Sequence, residues 1–184
     1  PSQTWPLLLD HTPVVIVTEL SADVVTDVQV DVAGVEFGRS NVSVESEVIT
    51  TVLAPTPRMI IAGMGPIAEA LAAQATLLKW KFVVEARPDA VAGLAATLSP
   101  LDAVVVMGHD VDTSSGCLMA ALASAAGYVG ALGSLAMQQS RADWLAYRDV
   151  VDVSRVRGPA GLDIGATTPE EIAVAIFAEA IAVI

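Results

Sequence analysis

Apolar positions keep one rhythm over the first 55 residues and another over the rest. In the first part, "VVIVTEL" (14–20) is a short apolar run. "DVQVDVAGVEF" (27–37) alternates, with Val28, Val30 and Val32 on one face and Gln29 and Asp31 on the other, and "SVESEVITTVL" (43–53) repeats the habit less strictly. A period of two belongs to half-exposed strands. The segment is therefore predicted to be β-rich, either as a small antiparallel sheet or as edge strands added to the sheet of the C-terminal part. "APTPR" (54–58), with two prolines, is the strongest boundary signal. It divides the chain into a β-rich N-terminal segment, 1–56, and a domain over 57–184.

From residue 58 short apolar blocks alternate with helical stretches. "MIIAG" (59–63) and "DAVVVMG" (102–108) read as buried strands, and "FVVEA" (82–86) and "YVGALG" (128–133) as the second and fourth strands. "PIAEALAAQATLLKW" (66–80) reads as a helix with Pro66 in its first turn, where a missing N–H does no harm. "PDAVAGLAATL" (88–98) is a shorter helix. Another is expected to run from a cap at Ser114 or Ser115 to about Ala126, and a fourth covers "SLAMQQSRADWLAYRDV", with a break expected near Ser140. In "TTPEEIAVAIFAEAIAVI", Thr168 is a natural N-cap, Pro169 takes the first helical position and Glu171 stands three after the cap. That is a capping box, with acidic residues at the positive end of the helix dipole. The rest of that helix is apolar almost all round, which calls for burial in the domain or in a subunit interface. Strands alternating with helices predict the α/β class: a Rossmann-like parallel sheet with right-handed crossovers and helices on both faces, preceded by the short β-rich segment.

Composition supports this picture and narrows the function. Of the 184 residues 54% are hydrophobic and only 4% aromatic, so Val, Ile, Leu and Ala must build the core. The net charge of -12, with nine basic residues that never cluster, argues against nucleic acid and against an anionic membrane surface. An anionic small ligand would have to be held by local backbone N–H groups. The lone Cys117 fits a reducing compartment, and no apolar run is long enough to span a bilayer. A soluble, cytoplasmic protein is expected.

The candidate chemistry centres on "IIAGMGPIAEALA". Gly63, Gly65 and Ala68 occupy the three positions of the G-x-G-x-x-G/A fingerprint. The first allows a tight turn, the second lets a phosphate approach the backbone, and the third lets helix and strand pack closely. Glu85 closes the next strand 22 residues beyond Gly63, about where an acid binds a ribose hydroxyl. Arg87 just beyond is a candidate to meet a phosphate. Pro66 removes one first-turn N–H from the cradle. Small residues at such a turn also serve packing alone, so the motif leaves both readings open.

The segments "GMGPIAEALA", "VVMGHD", "AALASAAGYVGALGS" and "GPAGLDIGATTPEEIAVAIFAE", in that order, resemble the XdhC/CoxI family over roughly residues 57 to 184. These are accessory proteins in the maturation of xanthine dehydrogenase and carbon monoxide dehydrogenase. "YVGALGS" and "GLDIGATTPEEIA" are the most family-specific stretches. The resemblance implies a C-terminal Rossmann domain, homo-oligomerisation and a chaperone role towards the apo-enzyme of a molybdenum hydroxylase. It further implies binding of molybdenum cofactor, a phosphate-bearing pterin, or of its dinucleotide form. By position it implies ligand-facing roles for Gly63, Gly65, His109, Asp110, Gly133, Ser134 and the 161–165 loop. The chain departs from the family pattern at three places: residues 1–56 carry no Gly-Gly-Cys motif, Pro66 replaces a histidine, and Leu135 and Ala136 stand where arginines usually follow Ser134.

Other residues have plainer alternatives. His109, Asp110 and Asp112 offer a carboxylate–imidazole pair, a polar contact to a ligand, or a cap for the following helix; the other histidine, His11, is in the distant N-terminal segment. Cys117, among Leu118 and Met119 with no basic neighbour, reads as a small hydrophobe. Asp163, in "GPAGLDIG", is a candidate to face the pocket from a shaped turn, while Trp80, Trp144 and Tyr147 read as packing residues. No nucleophilic triad, metal-protease motif or cysteine pair occurs. The expected function is a non-catalytic cofactor-binding factor. The alternatives are an NAD(P)-binding oxidoreductase and a degenerate paralogue acting as an oligomeric interaction protein.

Overall fold

Two compact units meet between Thr56 and Pro57 in the computed structural model, which describes residues 4–33 and 39–184. The first unit opens with a short helix α1 (Thr4–Leu9), where the sequence pattern predicts only strand. Four antiparallel strands come next: β1 (Val14–Ser21), β2 (Val24–Val32), β3 (Asn41–Glu45) and β4 (Val48–Leu53), in the order β2-β1-β4-β3. They form a separate sheet. Val28, Val30 and Val32 pair with Thr18, Ile16 and Val14, so the alternation read in the sequence sets one apolar face. Residues 34–37 of that predicted strand lie outside the described residues.

The second unit is an α/β sandwich. Its elements are β5 (Arg58–Ala62), α2 (Pro66–Leu77), β6 (Lys81–Glu85), α3 (Pro88–Ala95), β7 (Ala103–Val106), α4 (Val111–Leu122), β8 (Tyr128–Ala131), α5 (Leu135–Ala146), β9 (Val156–Arg157) and α6 (Pro169–Val183). All five strands are parallel, in the order β6-β5-β7-β8-β9. Alternate residues of the strands supply two cores. Met59, Ile61, Val105 and Tyr128 pack with Leu71 of α2 and Ile176 and Phe177 of α6. Ile60, Val104, Val106 and Val129 pack on the other face with Val91 of α3, Leu118 of α4 and Leu145 of α5. Continuous β-branched runs such as that of β7 are what a strand buried on both faces requires, whereas Phe82, Val83 and Val84 of the edge strand β6 keep contact with solvent. Trp80 closes the first core edge-on against Phe177, at 5.2 Å between ring centroids.

Three local expectations change. Asp110 caps α4 by accepting a hydrogen bond from the Thr113 N–H at 2.7 Å, so Ser114 and Ser115 lie inside the helix, where both are buried. Helix α5 runs through Ser140 unbroken, because the Ser140 hydroxyl bonds back to the Ala136 carbonyl without interrupting the ladder. Strand β9 is two residues long, too short for any periodicity to reveal. The capping box of α6 forms as the sequence predicts, with Thr168 and Glu171 bonded to each other's backbone N–H. Among the described residues no helix is long and apolar enough to cross a membrane.

The end of the sheet where the strands begin is fixed by Asp102. This wholly buried carboxylate accepts bonds from the Arg58 guanidinium at 2.7 Å, the Arg58 N–H at 2.8 Å and the Ser99 N–H at 2.7 Å. Burial works to raise its pKa, but the bonds from Arg58 and Ser99 together outweigh it and hold the carboxyl below its usual range. Asp102→Ala is expected to cost about 3 kcal/mol at neutral pH, the low end for a broken buried pair because Arg58 keeps partial contact with water. The folded pKa is depressed, so this stabilisation is full above the unfolded value near ~4 and is lost as pH falls through the folded value. Urea midpoints of wild type and variant should therefore differ most at neutral pH and converge in acid.

Candidate functional site

In an open sheet ligands bind beyond the carboxyl ends of the strands, where strand order reverses. Here that point lies between β5 and β7, and the turns leaving both strands are built from glycine. A Cβ on Gly63 (φ +150°) would collide with the Met107 side chain and approach its carbonyl at 2.9 Å. Gly63 is therefore required for the close approach of two turns. Gly65 (φ +104°) is different, because a Cβ there would meet nothing within 4 Å. Its backbone is open to whatever occupies the crevice. Ala68 is buried and allows α2 to settle on the sheet.

Beside this turn is a cleft of about 460 Å³, within the usual range for small-molecule sites. Met64 and Pro66 line one side, Met107, Gly108 and His109 the floor, and Gly133 and Ser134 the far side. Two helices start at its rim. Gly65 is the N-cap of α2, and Ser134 caps α5 by accepting from the Met137 N–H at 3.3 Å. First-turn N–H groups lack intrahelical partners, so both positive helix ends meet at the cleft, with α2 poorer by the N–H that Pro66 lacks. In a chain with 21 acidic residues, none lines this cleft among the described residues. The lining is largely apolar.

The structure thus brings His109, Gly133 and Ser134 into the lining, where Met64 and Pro66 represent the glycine turn; Gly63 and Gly65 stand beside the cleft in that turn, and the other candidates are set apart. Glu85 and Arg87 bind each other at the end of β6, with the guanidinium 3.0 Å from the carboxylate. The bond from the Arg87 side chain, with those from the Arg87 and Ala86 N–H groups, holds Glu85 down at about 2. Neither residue lines the cleft. Asp110 uses its carboxylate to cap α4, which depresses its pKa, while Asp112 accepts a bond from the Trp144 indole N–H. Asp163 lies in an exposed turn and does not line the cleft. Among the described residues no group of three or more His, Cys, Asp or Glu is placed to hold a metal ion. Cys117 is buried against the Ala86 carbonyl, and burial followed by the nearby Glu85 charge pushes its thiol up to about 11, which makes it a poor nucleophile.

Two residues that no sequence motif singles out tie distant turns together. Arg141 is only 1% exposed, and its guanidinium donates to the Gly108 carbonyl at 3.0 Å, to the Leu132 carbonyl at 2.5 Å and to the Ser114 hydroxyl at 3.0 Å. It ties the turns after β7 and β8 together beneath the cleft. Its spacing of four from the buried Leu145 was the available signal, since that places Arg141 on the inner face of α5. Glu179 of α6 accepts from the Tyr128 hydroxyl at 2.7 Å and from the Gly161 N–H at 2.8 Å. Burial, then the bond to Glu179, drives the Tyr128 pKa far up, so it remains a neutral donor. "YVGALGS", "GLDIG" and "IFAE" thus meet at one hydrogen-bonded knot.

Residues 59–180 match the family described as the XdhC Rossmann domain. Among solved structures, a xanthine dehydrogenase from Bacillus halodurans superposes with a TM-score of 0.73 at 24% identity, covering 98% of this chain. At that identity the likeness speaks for the fold. The chain spans 62% of the length of that protein. No protein of curated function matches the chain significantly.

Proposed function

Because the chain belongs to the XdhC family, we propose that it is a non-catalytic accessory protein that holds a phosphate-bearing pterin, molybdenum cofactor or its dinucleotide form, for a xanthine dehydrogenase-type enzyme. The observation that carries the reading is the cleft at the strand-order reversal. It joins the open backbone of Gly65, two helix N-termini and an acid-free lining. Such a lining suits a partly apolar, anionic ligand. Gly65 and the Gly133–Ser134 turn would approach the phosphate, and His109 would offer a ring nitrogen to the polar edge of the pterin. The bound group would supply the redox-active molybdenum centre to the acceptor enzyme. This chain's residues bind it, orient it and shield it from water.

The dinucleotide-oxidoreductase reading is less well supported. It asks Glu85 to accept ribose hydroxyls, yet that carboxylate is already engaged by Arg87 and two backbone N–H groups. It also asks for proton-transfer groups opposite the glycine turn, where His109 is the only titratable side chain in the lining among the described residues.

Denaturing the purified protein and examining the released small molecules tests the choice. A fluorescent pterin is the expected result. An adenine chromophore without pterin would favour the nucleotide enzyme. Release of neither, with no thermal stabilisation by either ligand at saturation, would leave an interaction protein with an empty cleft.

A further inference from the structure

A buried guanidinium normally has a carboxylate beside it, because moving a charge out of water is costly unless it is paired. Arg141 has none: among the described residues its partners are the Gly108 and Leu132 carbonyls, the Ser114 hydroxyl and the Gln138 side chain, all neutral. Burial accordingly depresses its pKa, though an arginine stays charged at any ordinary pH. The two carbonyls belong to the turns that form the floor and far side of the cleft. The guanidinium also lies 3.7 Å from where a Cβ on Gly133 would stand. Gln138 reinforces the arrangement by donating to the Ala131 and Gly133 carbonyls at 2.9 and 3.2 Å. A neutral side chain of similar length would fill the space without this unpaired charge. Four neutral acceptors hold the charge in place without cancelling it.

We propose that Arg141 is the positioning residue that makes the cleft selective for anions: held under the Gly108 and Gly133 turns without a carboxylate, it leaves its counter-charge to be supplied by the ligand's phosphate. This rests on the reading of the cleft as a phosphate-bearing cofactor site, and deepens it by naming the source of the positive field. Arg141 does not touch the ligand. It orients the backbone that does, and biases the potential there.

The test is titration of the whole chain with inorganic pyrophosphate at constant ionic strength, by calorimetry. Wild type should bind. Arg141→Met should bind at least about tenfold more weakly, and Arg141→Lys, which keeps the charge with fewer bonds, should recover part of the loss. A purely structural role would not distinguish Lys from Met by charge. Affinity of Arg141→Met within roughly twofold of wild type overturns the assignment while leaving the cofactor cleft intact. Absence of pyrophosphate binding by folded wild type overturns the cleft reading itself. If Arg141→Met does not fold, the wild-type protein still decides. The Arg141 Nε–Hε resonance should move with pyrophosphate at the same Kd as the Ser134 amide, and a stationary resonance would refute the role.

Discussion

Gly63→Val and Gly65→Val are expected to fail in opposite ways. A side chain at Gly63 must enter space held by Met107, including its carbonyl at 2.9 Å, from a backbone at φ +150° that L residues rarely adopt. Overpacking against backbone and conformational strain together should cost about 4 kcal/mol. Gly65→Val meets no atom within 4 Å and suffers only the strain of φ +104°, about 1–3 kcal/mol. Its methyl groups instead occupy the approach to the cleft. Urea unfolding should therefore show Gly63→Val far less stable than Gly65→Val. Thermal stabilisation by a cleft ligand, about 2.7 kcal/mol at a hundredfold excess over Kd for wild type, should vanish in Gly65→Val. If the ligand stabilises Gly65→Val as much as wild type, it binds elsewhere.

The second large effect is expected far from the cleft floor, at Glu179. Removing this carboxylate in Glu179→Ala leaves the hydroxyl of the wholly buried Tyr128 and the Gly161 N–H without their acceptor, and leaves Arg157 without its neighbour at 3.8 Å. A buried hydroxyl and a half-buried N–H left unsatisfied should together cost about 3 kcal/mol, while Glu179→Gln, which keeps one acceptor oxygen, should cost about 1. Tyr128→Phe removes only the donor and should be the mildest of the three. Denaturant midpoints give the ranking, and amide exchange at Gly161 should quicken in Glu179→Ala before global unfolding does. Equal stability of Glu179→Ala and Glu179→Gln would mean that the knot does not hold the 158–165 turn.

Much of the fold was legible because the central strands β5 and β7 are short blocks of apolar, largely β-branched residues set between helix-length stretches, and the two-sided burial of such blocks points to a parallel sheet. The α6 start was legible because all parts of its capping box lie within four residues. The α4 start was not. In "HDVDTSS" Asp110, Asp112, Ser114 and Ser115 are all competent caps; Asp110 takes the role, and the Ser114 hydroxyl instead bonds back to the Asp110 carbonyl while accepting from Arg141, 27 residues away. The glycine turn is a local pattern, so its residues could be named from the sequence. Glu85 and Arg87 were candidates for a ligand, but a spacing of two lets them satisfy each other first. Arg141 and Glu179 work through contacts made only when distant turns meet, and no local pattern records that.

On the proposed reading, the crevice where strand order reverses holds a phosphate. The most direct measurement is a crystal structure of the whole chain soaked in pyrophosphate. An anion is expected between the Gly63–Gly65 turn and the Gly133–Ser134 turn, bonded to first-turn N–H groups of α2 and α5. Pyrophosphate bound beside Glu85 and Arg87 instead, or an empty cleft at saturating concentration, would contradict it.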